Sequence, residues 1–349
     1  MADSPDASAR YDAARDYAWN YAHPPRPIAV DVPVVPGEWT FCGLKAASPL
    51  GIPAGPLLNG DWILYYASLG FDVLTYKTVR SGFRECYPLP NLVPVQTGPL
   101  HGGELELSVA SNMPGSWAVS FGMPSQNPDV WQADIERTRR KLTSDKLLNV
   151  SVVGTVQPDW SIDDLANDYA QCARWAVDSG ADTVEVNYSC PNVSTCDGQL
   201  YQQPADAHLV TQAVREAVGS TPLIVKVGHV TEEAEAIALL DALESATAIA
   251  MTNSVAATIR AADGTLLFDG QKRGICGAAT SEASLAQTKL FDRLIRERGR
   301  GPKLIGVGGA STAEHVRAYL DSGAECVHIA TAAMVDPKIA LKIRAELAG

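Results

Sequence analysis

From about residue 50 onward, short runs of β-branched and aliphatic residues alternate with longer stretches in which apolar positions recur every three or four residues. The short runs predict strands at Gly51–Ala54, Val73–Tyr76, Leu148–Val153, Thr183–Asn187, Leu223–Val227, Ala248–Thr252, Lys303–Val307 and Cys326–Ala330. Helical spacing follows at 61–69, 128–143, 162–179, 205–218, 231–244, 282–298, 312–322 and 336–347. Runs such as LIVKV, AIAMT and LIGVGG are apolar at consecutive positions, as strands covered on both faces are. Eight strand-then-helix units in succession predict an α/β fold, a parallel (β/α)8 TIM barrel. An open doubly wound sheet would need a GxGxxG turn after its first strand. The glycine cluster here, Gly306-Val307-Gly308-Gly309, follows the seventh strand instead.

Two regions fall outside the repeat. Residues 1–46, with Pro24-Pro25-Arg26-Pro27, Pro33 and Pro36, read as an N-terminal arm and a strand pair packed on a barrel of residues 47–349. Residues 80–127, containing PLPNLVPVQTGPLHGGE, are a long insertion between the second strand and its helix. Long connections in compact domains are commonly functional, and this one leaves the C-terminal face, where barrel active sites sit. It reads as a lid-like element, with a merely decorative insertion as the equal alternative.

Composition narrows the function classes. Of 349 residues, 46% are hydrophobic and 19% charged, which fits a large core. The net charge of −12 argues against a nucleic-acid partner. The N-terminal MADSPDASARYDAARDY has no apolar run, and no stretch is long and apolar enough to span a membrane. The seven cysteines are scattered without a CxxC pair, so neither a disulfide framework nor a metal site is expected. A reducing cytoplasm is the expected compartment.

Candidate chemistry lies at the strand ends. The second strand ends in Tyr76-Lys77-Thr78, the fourth in Asn187-Tyr188-Ser189-Cys190-Pro191-Asn192, the fifth carries Lys226, and the sixth ends in Thr252-Asn253-Ser254. Polar groups at the end of a core strand are costly unless paired, so several around one mouth point to a ligand. Gly308-Gly309 and Ala330-Thr331-Ala332-Ala333 follow the seventh and eighth strands, where such barrels bind phosphate. Gly274-Ile275-Cys276-Gly277 reads as another flexible loop on the same face. Cys42, Cys86, Cys172 and Cys326 read as small buried residues, and Cys196 as an incidental loop thiol. His101, His229 and His315 have no nucleophile or metal partner at useful spacing.

Taken in order, these segments resemble the dihydroorotate dehydrogenase family of FMN-dependent oxidoreductases. The resemblance runs from about Ser48 to the C-terminus, through SPLGIPAG, TYKTV, VEVNYSCPNV, VKV, MTNS, GICGAA, IGVGG and HIATAA; N-x-S-C-P-N is its most specific element. It implies FMN as cofactor. It implies Lys77 beside flavin and substrate, with Thr78 and Gly277 among the cofactor contacts, and Asn187, Asn192, Asn253 and Ser254 on a dihydropyrimidine ring. Lys226 would lie at the pyrimidine end of the flavin, and Ala54-Gly55 would let backbone touch the isoalloxazine. Gly308, Gly309, Ala330 and Thr331 would hold the FMN phosphate. Oxidising dihydroorotate to orotate in pyrimidine biosynthesis moves a hydride to flavin N5 and a proton to a base. Cys190 is that base by resemblance; a cysteine there marks the soluble class, whereas the membrane-linked class carries serine. A homodimer is likewise implied.

One departure bears on the substrate. Where the family carries a carboxylate-binding asparagine, this chain has Val119, in VSFGMP, and Asn112 is poorly spaced to replace it. The missing donor is worth roughly 1.5–3 kcal/mol. A related flavoenzyme acting on another dihydropyrimidine or an activated alkene is therefore an alternative. A flavin-free, phosphate-binding isomerase or lyase using Lys77 or Lys226 is a second, and a non-catalytic binding barrel a third. The expected partner is a small-molecule substrate. Any iron–sulfur relay would sit on a separate electron-transfer subunit, because no cysteine cluster here can ligate one.

Overall fold

A computed structural model of the chain describes residues 10–103, 106–189 and 199–349. Eight parallel strands close into a barrel: β1 (Leu50–Ile52), β2 (Val73–Val79), β3 (Leu147–Val152), β4 (Thr183–Asn187), β5 (Leu223–Lys226), β6 (Ala248–Met251), β7 (Lys303–Val307) and β8 (Ala324–His328). β8 closes the ring on β1 through Val327 opposite Leu50 and His328 opposite Gly51. The long helices are α1 (Gly60–Ser68), α2 (Pro128–Lys141), α3 (Ile162–Asp178), α4 (Pro204–Val218), α5 (Glu233–Ala242), α6 (Ser281–Arg298), α7 (Ala313–Asp321) and α8 (Ile339–Ala348). The predicted eight-unit barrel is thus the observed one.

Local chemistry sets the helix limits. Ser161 and Asp164 form a capping box at the start of α3, and Asn59 and Thr312 accept backbone N–H groups at the starts of α1 and α7. Gly299 ends α6 in the left-handed conformation. In α3, Leu165, Tyr169, Cys172, Ala173 and Ala176 are buried, a single stripe at helical spacing.

Along each strand, alternate residues face the helices or the barrel interior. Leu74, Tyr76, Val184, Val186 and Val225 pack with helix residues in the main core. Thr75, Lys77, Glu185, Asn187 and Lys226 therefore point inward. The lower interior is apolar. Residues Trp39–Phe41 and Leu44–Ala46 form an antiparallel hairpin, and its Phe41, Cys42 and Ala46 pack against Val73, Leu147, Ile224, Ala250, Ile305 and Cys326. The hairpin seals the N-terminal end of the barrel, so the opposite end is where a ligand can enter.

The insertion after β2 is more ordered than its proline and glycine content led us to expect. Leu92–Gln96, Glu106–Val109 and Ser116–Val119 are strands. They close into a second, five-stranded barrel with Val255–Arg260 and Arg273–Gly277 from the segment after β6. Val93, Val95, Ala118, Val255, Ala257, Ile259 and Ile275 fill it. The flexible-loop expectation for Gly274–Gly277 is corrected here: Ile275 pairs with both Val255 and Ala118, so hydrogen bonds on both edges hold the segment. No helix among the described residues is long and apolar enough to cross a membrane.

At the sealed end, Asp72 joins the arm, the strands and α8. It lies 2.5 Å from Lys146 and 2.7 Å from Arg344, and it accepts from Ser48. Arg344 also donates to Pro33 O and Gly70 O. Removing one partner of a buried ion pair leaves the other charge uncompensated. Asp72→Ala is therefore expected to cost about 3–5 kcal/mol by denaturant unfolding, whereas a loss below about 1 kcal/mol would mean that Arg344 finds water instead.

Candidate active site

A cavity of about 510 Å³ opens at the C-terminal ends of the strands, in the range of pockets that enclose a cofactor-sized molecule. Its floor comes from the barrel. Lys77, Thr78, Asn187, Lys226 and Asn253 line it, together with the backbone of Ala54, Gly55, Gly308, Gly309, Ala330 and Thr331. Gly277 of the small barrel joins them. Ser254 is buried beside Asn253 but does not line the cavity. Cys190, Asn192 and Cys196 lie outside the described residues.

The floor carries two buried ammonium groups. Lys226 is 3% exposed, and its Nζ approaches Ala54 O at 3.5 Å, a long contact for a charged donor. Lys77 is also buried, with its Nζ 5.7 Å from the Phe121 ring centroid, within reach of a cation–π contact. The two amides are held by the chain leaving β4. Asn187 Oδ1 accepts from the Ser189 N–H at 3.1 Å, while its Nδ2 meets only the weak acceptor Met123 Sδ at 3.7 Å. Asn253 Nδ2 donates to Ser189 O.

Glycine keeps side chains out of the floor where backbone must be bare. Gly55 has φ +147°, and a Cβ there would meet nothing within 4 Å. Backbone polar groups are thus presented to whatever lies in the cavity. Gly308 is fixed from behind: its carbonyl accepts from Tyr319 OH at 2.6 Å. Gly277 has φ +102°, and a Cβ would fall 2.1 Å from Gly115 O.

The walls differ from the floor. Leu92, Met113, Trp117, Val119, Phe121 and Cys276 bring an apolar surface from the insertion and the small barrel. Tyr11 and Tyr17 of the arm complete it, with ring centroids 5.9 and 6.2 Å from Phe121 in edge-on contacts. Burial holds both phenols well above their ordinary range, so both stay neutral. Burial likewise pushes the Cys86 thiol up to about 11, although Lys77 pulls it back. Cys86 is therefore no ready nucleophile.

Several wall residues had no signal in the sequence. Tyr11 and Tyr17 sit in a short arm segment whose helix, Tyr17–Ala22, has only six residues. Cys276 was noted inside its loop but given no role; its Sγ lies 3.7 Å from Asn253 O. Its strand position follows from long-range pairing, which a local pattern does not encode. Val119 does line the cavity, and Asn112 is exposed and does not. Among the described residues, no group of three or more His, Cys, Asp or Glu is placed to hold a metal ion.

Two cations, two amides and bare backbone below, with an aromatic and aliphatic wall above, define a (β/α)8-barrel enzyme with a ligand-sized cavity at the C-terminal ends of its strands. The comparisons with known proteins narrow this class. The dihydroorotate dehydrogenase family profile matches residues 38–349, and the chain belongs to that family, whose members are oxidoreductases of the CH–CH bond. It is 33% identical over 320 residues to a dihydroorotate dehydrogenase of Dictyostelium discoideum, covering 86% of each chain. It is 25% identical over 318 residues to the catalytic subunit of a dihydroorotate dehydrogenase B (NAD(+)) of Desulforudis audaxviator, covering 88% of this chain and 90% of that one. The crystal structure of the Eimeria tenella DHODH in complex with ferulenol shares the fold, with a TM-score of 0.69 and 18% identity over 89% of this chain and 83% of that one.

The glycine at 277 offers a direct check on the wall. Gly277→Ala forces a Cβ against a backbone carbonyl at positive φ. A loss of about 1–3 kcal/mol is expected in thermal unfolding, with the cavity altered. Unchanged stability would show that the 115–116 backbone yields freely.

Proposed function

We propose that this protein is an FMN-dependent dehydrogenase that oxidises dihydroorotate to orotate in pyrimidine biosynthesis. The observation that carries the proposal is the convergence of Lys77, Asn187, Lys226 and Asn253 on one cavity whose floor is bare backbone at Gly55, Gly308 and Gly309. FMN fits this donor set. Gly55 leaves open space where a flat ring would rest, Lys226 offers positive charge at one edge, and Gly308-Gly309 with Ala330-Thr331 would hold the phosphate. When bound, FMN accepts the hydride at its N5.

The chain's own residues do the rest. Asn187 is held by Ser189 N–H, so its NH2 group, which meets the weak acceptor Met123 Sδ, would donate to a ring carbonyl of the substrate. Asn253, with Asn192, would complete the contacts to the ring, and Ser254, which does not line the cavity, would act at most by supporting Asn253. Lys77 would fix the face of the substrate against the flavin. Cys190 follows Ser189 directly and would take the proton from the carbon beside the substrate carbonyl. Only its thiolate can accept a proton, so the reductive step should speed up as pH rises toward the thiol pKa. The Val119 wall and the insertion would cover the substrate and keep bulk water away from the thiolate. Membership of the soluble class, a homodimer and a separate electron-transfer subunit are further parts of this reading.

Val119 also supports a second reading. The described walls present no amide at that position, which suits a neutral dihydropyrimidine better than a carboxylate. Anaerobic mixing of flavin-loaded protein with dihydroorotate and with neutral dihydropyrimidines separates the two. Bleaching of the visible flavin absorbance by dihydroorotate is expected; bleaching only by a neutral ring would transfer the assignment.

Cys190→Ala is expected to slow flavin reduction by about 10²–10⁴-fold while FMN binding is kept. A variant that reduces its flavin at the normal rate removes the base assignment.

A further inference from the structure

Below the floor of the site, the barrel interior holds a carboxyl group that the proposed reaction does not use. Glu185 on β4 is fully buried, and neither of its oxygens has a hydrogen-bond partner. It precedes Asn187 by two residues, so both point inward from the same strand. In the β4–β5 register Glu185 stands opposite Ile224, and Asn187 opposite Lys226. The carboxyl therefore lies one layer below the Lys226 ammonium, on the neighbouring strand.

Among the described residues one other cation points into the barrel, Lys77 on β2, whose Nζ lies 5.7 Å from the Phe121 ring centroid; the remaining groups facing this space are neutral. Thr75, Asn149 and Thr183 are occupied with one another, Asn149 donating to Thr75 and accepting from Thr183. Ser151 is hydrogen-bonded to Thr78 at 3.0 Å. On the far side, β1 offers only Gly51, and β6 and β7 offer Ala250 and Val307. His328 on β8 is buried, with neither ring nitrogen hydrogen-bonded; burial, reinforced by Lys226, lowers it to about 3 and keeps it neutral. Burial raises the Glu185 carboxyl and Lys226 pulls it back; the Ser151 hydroxyl, opposite Glu185 in the β3–β4 register, lies close enough to lower it further but is turned to Thr78. Among the described residues the hydrogen bond that Lys226 makes is the long contact to Ala54 O. Lys226, next to Asn187 in the β4–β5 register, is the cation that acts on the Glu185 carboxyl. An ionised carboxylate without hydrogen bonds persists in such an interior only where a cation stands near.

We propose that Glu185 is the buried counter-charge of Lys226, a positioning residue that acts through that lysine to set how strongly the site favours the reduced, anionic flavin over the oxidised one. This rests on the reading that FMN lies over Lys226. The carboxylate offsets part of the lysine's field, so it tempers the stabilisation of negative charge above it. Removing the carboxylate leaves the full ammonium field acting on the flavin.

Two measurements test the proposal. In the first, the flavin midpoint potential is measured for wild type and Glu185→Gln, and again with both proteins carrying Lys226→Met. Glu185→Gln is expected to shift relative binding toward reduced flavin by at least tenfold, which is about 30 mV upward on a two-electron couple. With Met at 226 the same change should do almost nothing, because Glu185 has then lost the cation that acts on it and becomes protonated. A merely structural effect would shift the potential equally in both backgrounds and would overturn the proposal, as would a shift below threefold. In the second, infrared spectra of flavin-free wild type and Lys226→Met are compared. A protonated-carboxyl band that appears only in Lys226→Met is expected; the same band in wild type would overturn the pairing. This comparison needs neither a folded Glu185→Gln nor bound FMN. Failure to take up FMN therefore counts against the cofactor reading, while the infrared result still decides the pair.

Discussion

Lys226 is a buried ammonium at the mouth of a sealed barrel, and much of the architecture exists to tolerate it. Below it, the Trp39–Phe41 and Leu44–Ala46 hairpin closes the barrel with apolar residues, so water does not reach it from that side. Around it, strands pair on both edges and leave no gap. A charge held this way is costly unless something negative or polar comes to it. In the proposed pairing, Glu185 supplies part of that from below. An edge of a cofactor that gains negative charge on reduction would supply the rest from above.

The same constraint explains the contrast between floor and wall. Strand ends can bring single polar side chains to a fixed point, because each is locked by its ladder of hydrogen bonds. The polar donors Lys77, Asn187, Lys226 and Asn253 arrive from four different strand ends. The wall cannot come from the main barrel, whose strands stop at the floor. It is supplied instead by the five-stranded barrel and by Tyr11 and Tyr17 of the arm, packed edge-on against Phe121. In the proposed reading, a flat molecule between the two would be gripped by polar groups below and apolar groups above.

Most of the main barrel was legible in the sequence, because strands buried on both faces and amphipathic helices leave strong local patterns. All eight strands lie within a few residues of the runs that predict them, and of the described residues at the ends of β2, β4 and β5, Lys77, Thr78, Asn187 and Lys226 line one cavity. The small barrel was not legible. Its Glu106–Val109 strand pairs in parallel with Val255–Arg260, a contact between distant segments that no local period records. Prolines and glycines in the insertion mark its turns and mask its strands. Glu185 carries little local signal for a related reason: within VEVN it is one polar position in a strand, and only the barrel's inward alternation and the β4–β5 register place it one layer below Lys226. Ser254 illustrates the converse. Its place in MTNS recommends it, yet it does not line the cavity.

The central claim is that the cavity holds a flavin mononucleotide over Lys226 with its phosphate on the Gly308–Gly309 side. The most direct measurement is a fluorescence-quenching titration of flavin-free protein with FMN and with riboflavin, in wild type and Lys226→Met. One FMN per chain, riboflavin bound at least tenfold more weakly, and weaker FMN binding in Lys226→Met are the predicted results. No uptake of FMN, or equal affinity for FMN and riboflavin, would contradict the account.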